Sequence, residues 1–475
     1  MTAKGMGMSP NMSPNMSPNM SPDMSLGRKI ALGAGDFGFN LYWQTASLYL
    51  LFFYTDVLGL PAATAGTIYM AALIVDALLD PLMGLLADRT RTRFGRYRPY
   101  LLFGGIPLGL LFAAMFMGPA GGDAASVVFA AATHIAFRTF YAVISIPYAS
   151  LFARVTRDAQ VRTNLTAFRM VFATLSAVAV AALTLPVVKA LSTPEAPRHG
   201  WVVLAVAFGT LATLILLLVA WATKGYDADE TAEPSTARPP VLAALRSVLA
   251  NRALLVVLGS VVISSFCNTL FGKNLVYYFK YVIGKAELAG GALAFVALLA
   301  ALCVPLWALV ARRVGKRNAW LLGSIPGIAG LLLWHFGDGV VPLLFAALSL
   351  QAISTGAYIV SYWSMLPDTV EYGEWRTGVR TESMVFGLAT LGQKAALGLG
   401  AGLLGLALSH VGYAPNAAQS PETLEGIKQM MFWFPLVGGL ISAGLVALYP
   451  MDLAAHRRIV EEIAQRTSTA SSAST

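Results

Sequence analysis

The amino-acid sequence predicts an all-α integral membrane protein whose twelve transmembrane helices form two six-helix halves. Three observations lead there. Of the 475 residues, 57% are hydrophobic and only 12% are charged, against roughly 25% charged in a soluble globular domain, so water is not the main solvent. Twelve apolar runs follow one another, each near the ~20 residues that a helix needs to cross the hydrocarbon core. The loops between them alternate between strongly basic and almost uncharged, as in a chain that threads a membrane repeatedly. Helices follow because, in lipid, only a helix satisfies its backbone hydrogen bonds within one segment.

Residues 1–28 read as a disordered cytoplasmic N-terminal tail. Met8 to Ser25 repeats Met-Ser-Pro-Asn or Met-Ser-Pro-Asp, and a Pro at every fourth position breaks any helix. An N-terminal half-bundle, 29–223, holds runs at about 29–54, 62–86, 99–118, 125–151, 165–191 and 200–223. The longest polar gap, 224–251, is a cytoplasmic linker. A C-terminal half-bundle, 252–450, holds runs at about 253–279, 287–311, 319–336, 341–366, 383–410 and 430–449, and 451–475 form a cytoplasmic C-terminal tail.

The loop after the second run carries Arg89, Arg91, Arg93, Arg96 and Arg98, the loop after the fourth carries Arg154, Arg157 and Arg162, and the loop after the eighth carries Arg312, Arg313, Lys316 and Arg317. Basic loops stay inside, which places both termini in the cytoplasm of a cell (inner) membrane. The net charge of +9 is therefore a matter of topology, and no nucleic-acid partner is expected. The basic loop after run two has a shorter counterpart, ARRVGKRN, after run eight, a faint trace of an internal repeat. Two six-helix halves related by an axis along the membrane normal are the plan of the major facilitator fold, with the solute site between them at mid-membrane. Cys267 and Cys303 lie inside apolar runs without metal-like spacing and read as packing residues. No cofactor or resident metal is expected; the expected partners are the bilayer and a small-molecule solute, and the expected state is a monomer.

An ionisable residue inside a span costs at least a few kcal/mol and is a functional candidate by default. Run one carries Asp36, Asn40, Gln44 and Ser47 on one helical face, either lining a wet cavity or acting as polar glue between helices. Run two stacks Asp76 and Asp80 four residues apart. The two carboxylates repel, so one holds a proton unless a cation sits between them; a structural salt bridge is the alternative. Run four carries His134, Arg138, Tyr141, Ala142 and Ser145. A buried Arg needs a carboxylate, and those of runs one and two are the available partners. Arg138 is thus a structural counter-ion to Asp36, Asp76 or Asp80, or a ligand for an anionic solute; His134 reads as packing. Arg169 with Thr166 and Ser176 in run five, and Lys394 with Ser383, Gly387 and Thr390 in run eleven, each point a cation inward.

The segments YTDVLGL at 54–60, DALLDPLMGLLADRTRTRFGRYRP at 76–99, IPYASL at 146–151 and DTVEYGEWRTGVRTES at 368–383 resemble signatures of the glycoside-pentoside-hexuronide:cation symporters, the family of melibiose permease. The resemblance spans about residues 29 to 450. It implies that Asp76 and Asp80 bind the coupling cation and that Tyr141, Arg169, Thr390 and Lys394 line the sugar and coupling sites. It also implies departures. Where melibiose permease holds a galactosyl group between two carboxylates, this chain has Asn40 and Ser145, and Ala149 and Ile359 fill two Trp positions. Leu79 and Ala142 stand where oxygens would help hold sodium, which favours a proton over Na⁺ at Asp76 and Asp80. Leu73 replaces an Arg that many members carry before the first Asp.

The function expected is alternating-access symport of a glycoside, pentoside, hexuronide or related small polar solute with a cation, most simply a proton. The alternative is a lipid-like or amphipathic solute, for which the loss of both sugar carboxylates leaves room. A membrane enzyme is disfavoured because no nucleophile beside a base, HExxH helix or phosphate-cradling Gly loop is present.

Overall fold

Every apolar run gives a long helix in the computed structural model, which describes residues 25–119, 121–154, 159–225, 241–337 and 339–473. The first half comprises α1 (Leu26–Phe52), α2 (Ala62–Arg89), α3 (Arg98–Met115), α4 (Ala124–Arg154), α5 (Ala159–Leu191) and α6 (His199–Ala222). A short helix, α7 (Val241–Ala250), stands in the linker. The second half comprises α8 (Arg252–Tyr277), α9 (Glu287–Val314), α10 (Lys316–Phe336), α11 (Val341–Thr377), α12 (Glu382–His410) and α13 (Pro421–Ala447), and α14 (Leu453–Ala473) follows it. Eleven described helices are long and apolar enough to span a bilayer. The twelfth, α1, has the length, but its polar stripe lowers its hydropathy.

The two halves repeat each other in packing. α1 packs on α5 and α6 as α8 packs on α12 and α13, and α4 packs on α2 and α3 as α11 packs on α9 and α10. The repeat extends to backbone detail. Both α1 and α8 end in one π-helical turn, Phe53–Val57 and Tyr278–Val282. Each closes on a left-handed residue two positions later, Gly59 at φ 74° and Gly284 at φ 73°, where a side chain would be strained.

Between halves the principal contacts are α2 with α12 and α5 with α9, again related by the repeat, and α1 lies beside α8. At the α2–α12 seam a Cβ on Gly66 would lie 3.0 Å from the carbonyl oxygens of Ala401 and Gly402, so the helices meet backbone to backbone, as small residues permit in membranes. Among the described residues, every hydrogen bond and ion pair between the halves lies at mid-membrane or on the side away from the basic loops. The halves are therefore closed on that side and parted toward the basic loops.

Three boundaries differ from the sequence expectation. α11 continues eleven residues beyond the apolar run ending at 366, because the polar DTVEYGEWRT segment is still helical. α13 begins at Pro421, where Ser420 caps it by accepting from the Thr423 N–H at 3.2 Å, rather than at 430. The C-terminal tail contains α14, which is seated on the α11 extension: His456 Nε2 lies 2.5 Å from Glu371 Oε2, and the Trp375 indole N–H donates to Glu462 Oε2 at 2.6 Å. The N-terminal repeat lies outside the described residues. Cys267 and Cys303 are buried free thiols.

Candidate functional site

At mid-membrane, one side chain ties the halves together. The helical repeat stacks Asp76 over Asp80 on α2, and Lys394 reaches them from α12: its Nζ lies 2.5 Å from Asp80 Oδ2 and 3.1 Å from Asp76 Oδ2, the latter without hydrogen-bond alignment. Asp76 is fully buried. Asp76 Oδ1 and Asp80 Oδ1 are buried with no hydrogen-bond partner among the described residues. Two carboxylates against one ammonium leave a negative charge uncompensated in low dielectric, which a proton or a cation can neutralise.

A second ion pair lies within the first half. Arg169 of α5 grips Asp36 of α1 with two hydrogen bonds, Nε to Oδ2 at 2.5 Å and Nη2 to Oδ1 at 3.1 Å, and the Tyr148 hydroxyl donates to Asp36 Oδ2 at 2.6 Å. The fork geometry of a guanidinium suits this bidentate grip. The predicted stripe of α1 continues from it: Asn40 Nδ2 donates to the Asp36 carbonyl at 2.8 Å, and Gln44 Nε2 to Asn40 Oδ1 at 3.4 Å. Trp43 and Tyr141, with ring centroids 5.9 Å apart, and Phe39, 5.6 Å from Tyr141, add half-buried and buried aromatic surface beside it. Ser145 is half-buried without a hydrogen bond among the described residues, and Thr390, exposed on α12, donates to the Phe386 carbonyl.

The expectation that Arg138 balances Asp36, Asp76 or Asp80 is overturned. Those carboxylates are taken by Arg169 and Lys394, and no carboxylate pairs with Arg138 among the described residues. Its guanidinium instead stacks 4.8 Å from the Trp43 centroid, and its Nε donates to His134 Nε2 at 3.4 Å.

A third cluster seals the closed side. Asp56, in the π turn after α1, receives Lys280 Nζ at 2.6 Å on Oδ1 and the hydroxyls of Tyr413 at 2.6 Å and Thr55 at 2.7 Å on Oδ2, with the Tyr281 hydroxyl also on Oδ1. Asn416 Nδ2 donates to the Asp56 carbonyl at 2.6 Å. All but Thr55 come from the other half.

Two halves with an ion pair across their seam, one side latched and the other parted, are the architecture of an alternating-access carrier. The family described as MFS/sugar transport protein matches residues 31–453. The chain belongs to that family. An isoprimeverose transporter of Lactiplantibacillus pentosus is 34% identical, aligned over 89% of this chain and 88% of its own length. A glucuronide carrier protein homolog of Escherichia coli K12 is 30% identical over 92% of this chain and 95% of its own. Among solved structures, a bacterial homolog of the human lysosomal transporter Spinster, inward-facing and unoccupied, shares the fold with a TM-score of 0.69 and 15% identity, covering 93% of this chain and 99% of that one.

For this MFS/sugar transport protein, sequence reasoning missed Asp56, Lys273, Lys280 and Trp43 as site residues. The first three are ionisable residues at the end of or inside apolar runs, so the rule that singled out Asp76 would have found them. Trp43 falls three residues after Asn40 and four before Ser47, on the flank of the polar stripe.

Proposed function

We propose that this chain is a secondary active transporter that couples movement of a sugar-like solute to a proton by alternating access. The observation that carries it is the Lys394 bridge, because an ammonium from one half shared by two carboxylates of the other ties the coupling charge to the seam that must open and close. A proton on the acidic pair removes the remaining negative charge and loosens its hold on Lys394, which is then free to donate to a solute hydroxyl. A proton needs one carboxylate oxygen, whereas sodium needs several oxygens, and the unpartnered Oδ1 atoms receive no help from Leu79 or Ala142.

The α1 stripe of Asn40 and Gln44 beside Trp43 and Tyr141 suits the hydroxyls and the apolar ring face of a sugar better than the tail of an amphipath. The names of the relatives, an isoprimeverose transporter and a glucuronide carrier homolog, support the same class. The basic loops support an inner-membrane orientation with both termini and the parted side facing the cytoplasm, and the complete site within one chain suits a monomer. Purified protein in proteoliposomes tests the reading. Sugar uptake should follow an imposed pH gradient and collapse with a protonophore; strict dependence on sodium at constant pH would refute the proton.

A further inference from the structure

The DTVEYGEW segment takes no part in the coupling site, yet ligating groups converge on it. Asp368 and Glu371 lie three residues apart and so share one face of the α11 extension. α14 brings His456 against both: its Nε2 is 2.5 Å from Glu371 Oε2 and 3.5 Å from Asp368 Oδ1. Lys316, at the start of α10, donates to both oxygens of Asp368 at 2.7 Å and to the Ser364 carbonyl at 2.9 Å. These groups sit past the apolar run of α11, on the side of the basic loops.

Ion pairing accounts for these contacts but leaves one group out. Tyr449, just after α13, is 3% exposed, and its hydroxyl is buried with no hydrogen-bond partner among the described residues. Tyr449, Asp368 and His456 line one cavity of about 210 Å³ together with Lys316 and Asp452. A buried hydroxyl without a partner is unfavourable, so its place on this cavity points to a water or an oxygen ligand held there by something else. Asp452 is already engaged, accepting from the Ala455 N–H at 2.8 Å at the start of α14.

The donor set says what can hold that water. Two carboxylates with an imidazole suit a transition-metal ion such as Zn²⁺ or Co²⁺, whereas Ca²⁺ and Mg²⁺ take oxygen ligands. Bonds of about 2.0–2.2 Å place the donor atoms around such an ion about 3–3.6 Å apart. One donor atom from each of Asp368, Glu371 and His456 lies within 4.8 Å of the other two, so small side-chain rotations suffice, and His456 and Glu371 are partly exposed. The ion takes Asp368 Oδ1, the oxygen nearest His456, while Lys316 keeps Oδ2 and orients the carboxylate. Three protein ligands leave a position for water, which accepts from Tyr449.

We propose that Asp368, Glu371 and His456 form a binding site for a divalent transition-metal ion, completed by a water bonded to Tyr449, and that the ion clamps α14 to α11. The site stands apart from the coupling carboxylates and does not depend on which solute is carried. Because two ligands come from α11 and one from α14, occupancy controls how firmly the C-terminal helix is seated.

The test uses the full chain, purified without a histidine tag, placed in nanodiscs and stripped with a chelator. Titration with Co²⁺ should give visible d–d absorption that saturates at one equivalent, and added Zn²⁺ should abolish it. His456→Gln and Glu371→Gln should each weaken Co²⁺ binding at least tenfold; Glu371→Gln leaves α14 itself unaltered, so it reports on the site even where His456→Gln disturbs that helix. Tyr449→Phe, which removes only the hydroxyl, should weaken binding by about tenfold. Zn²⁺ should also slow tryptic cleavage after Arg457 and Arg458, both exposed on α14, in the parent and not in His456→Gln. A parent protein with no saturable Co²⁺ absorption overturns the proposal and leaves the cluster as an ion-pair contact. Binding that persists undiminished in both His456→Gln and Glu371→Gln places the metal elsewhere and overturns it equally.

Discussion

Replacing Asp56 by Asn should shift the carrier away from the conformation in which the side opposite the basic loops is closed. An Asn can keep its carbonyl toward Lys280 and Tyr281 and turn its amide toward Thr55 and Tyr413, whose hydroxyls rotate to accept. What is lost is the charge. Hydrogen bonds to charged groups contribute about 1.5–3 kcal/mol and neutral ones about 0.5–1.5 kcal/mol, so the change costs about 1.5 kcal/mol here, moderated because Lys280 is partly exposed and keeps Asn416 at 2.6 Å. That is roughly a tenfold shift in the equilibrium between access states. Asp56→Ala takes the carboxylate from Lys280 and three hydroxyls together, and at about 3 kcal/mol, the lower end for a broken buried pair, it should shift the equilibrium by about a hundredfold. The assay needs a pair of positions across the closed side. Lys189 and Glu287 are both exposed and face each other at 3.9 Å from α5 and α9, and an exposed pair of this kind contributes little. Nitroxides on Lys189→Cys and Glu287→Cys should show strong dipolar broadening in the parent, less in Asp56→Asn and least in Asp56→Ala. Cys267 and Cys303, being buried, leave the introduced thiols as the preferred labelling sites. Identical spectra in all three proteins would show that this cluster does not hold the gate.

Asp76→Asn and Asp80→Asn should each abolish uphill accumulation in proteoliposomes, because either fixes a charge that the cycle must vary, while counterflow survives; full accumulation in both would reduce the pair to a structural role. Arg169→Ala leaves Asp36 with Tyr148 as its one side-chain donor among the described residues, and since both partners are partly exposed the thermal stability should fall by about 2–3 kcal/mol; Arg169→Lys, which keeps the charge without the bidentate fork, should lose about half of that. Placing an Arg at position 73 in an Arg138→Ala background should lower the yield of folded protein rather than rescue it, since Arg138 pairs with no carboxylate among the described residues and Leu73 is 1% exposed and packed against Gly398 of α12; recovery of wild-type melting would reinstate Arg138 as the counter-ion. Gly66→Leu should block the α2–α12 approach, with transport lost and the closed-side broadening between the labelled pair reduced; unimpaired uptake would show that the seam tolerates bulk.

The sequence by itself determined the solvent, the number of long helices, the division into halves and which residues needed explaining. Those properties are local. An apolar run of the right length becomes a helix in lipid because its own backbone bonds are all it can make, and Asp76 stacks over Asp80 because the helical repeat puts residues four apart on one face. The one-sided stripe of Asn40 and Gln44 on α1 was legible for the same reason. Only the tertiary structure decided which charge meets which. Composition says that Asp36 and Arg138 each need a partner, but the choice depends on the rotation of α4 and α5 about their axes and on where α12 crosses α2, and these are set by packing across many residues. Asp36 therefore found Arg169, the acidic pair found Lys394, and Arg138 was left among aromatic rings. Polar segments were misread where neighbours stabilise them: DTVEYGEWRT stays helical as the seat for α14, whose own composition reads as a tail. The gate at Asp56 joins residues more than two hundred positions apart, from Lys280 and Tyr281 to Tyr413 and Asn416, and only the folded chain brings them to one carboxylate.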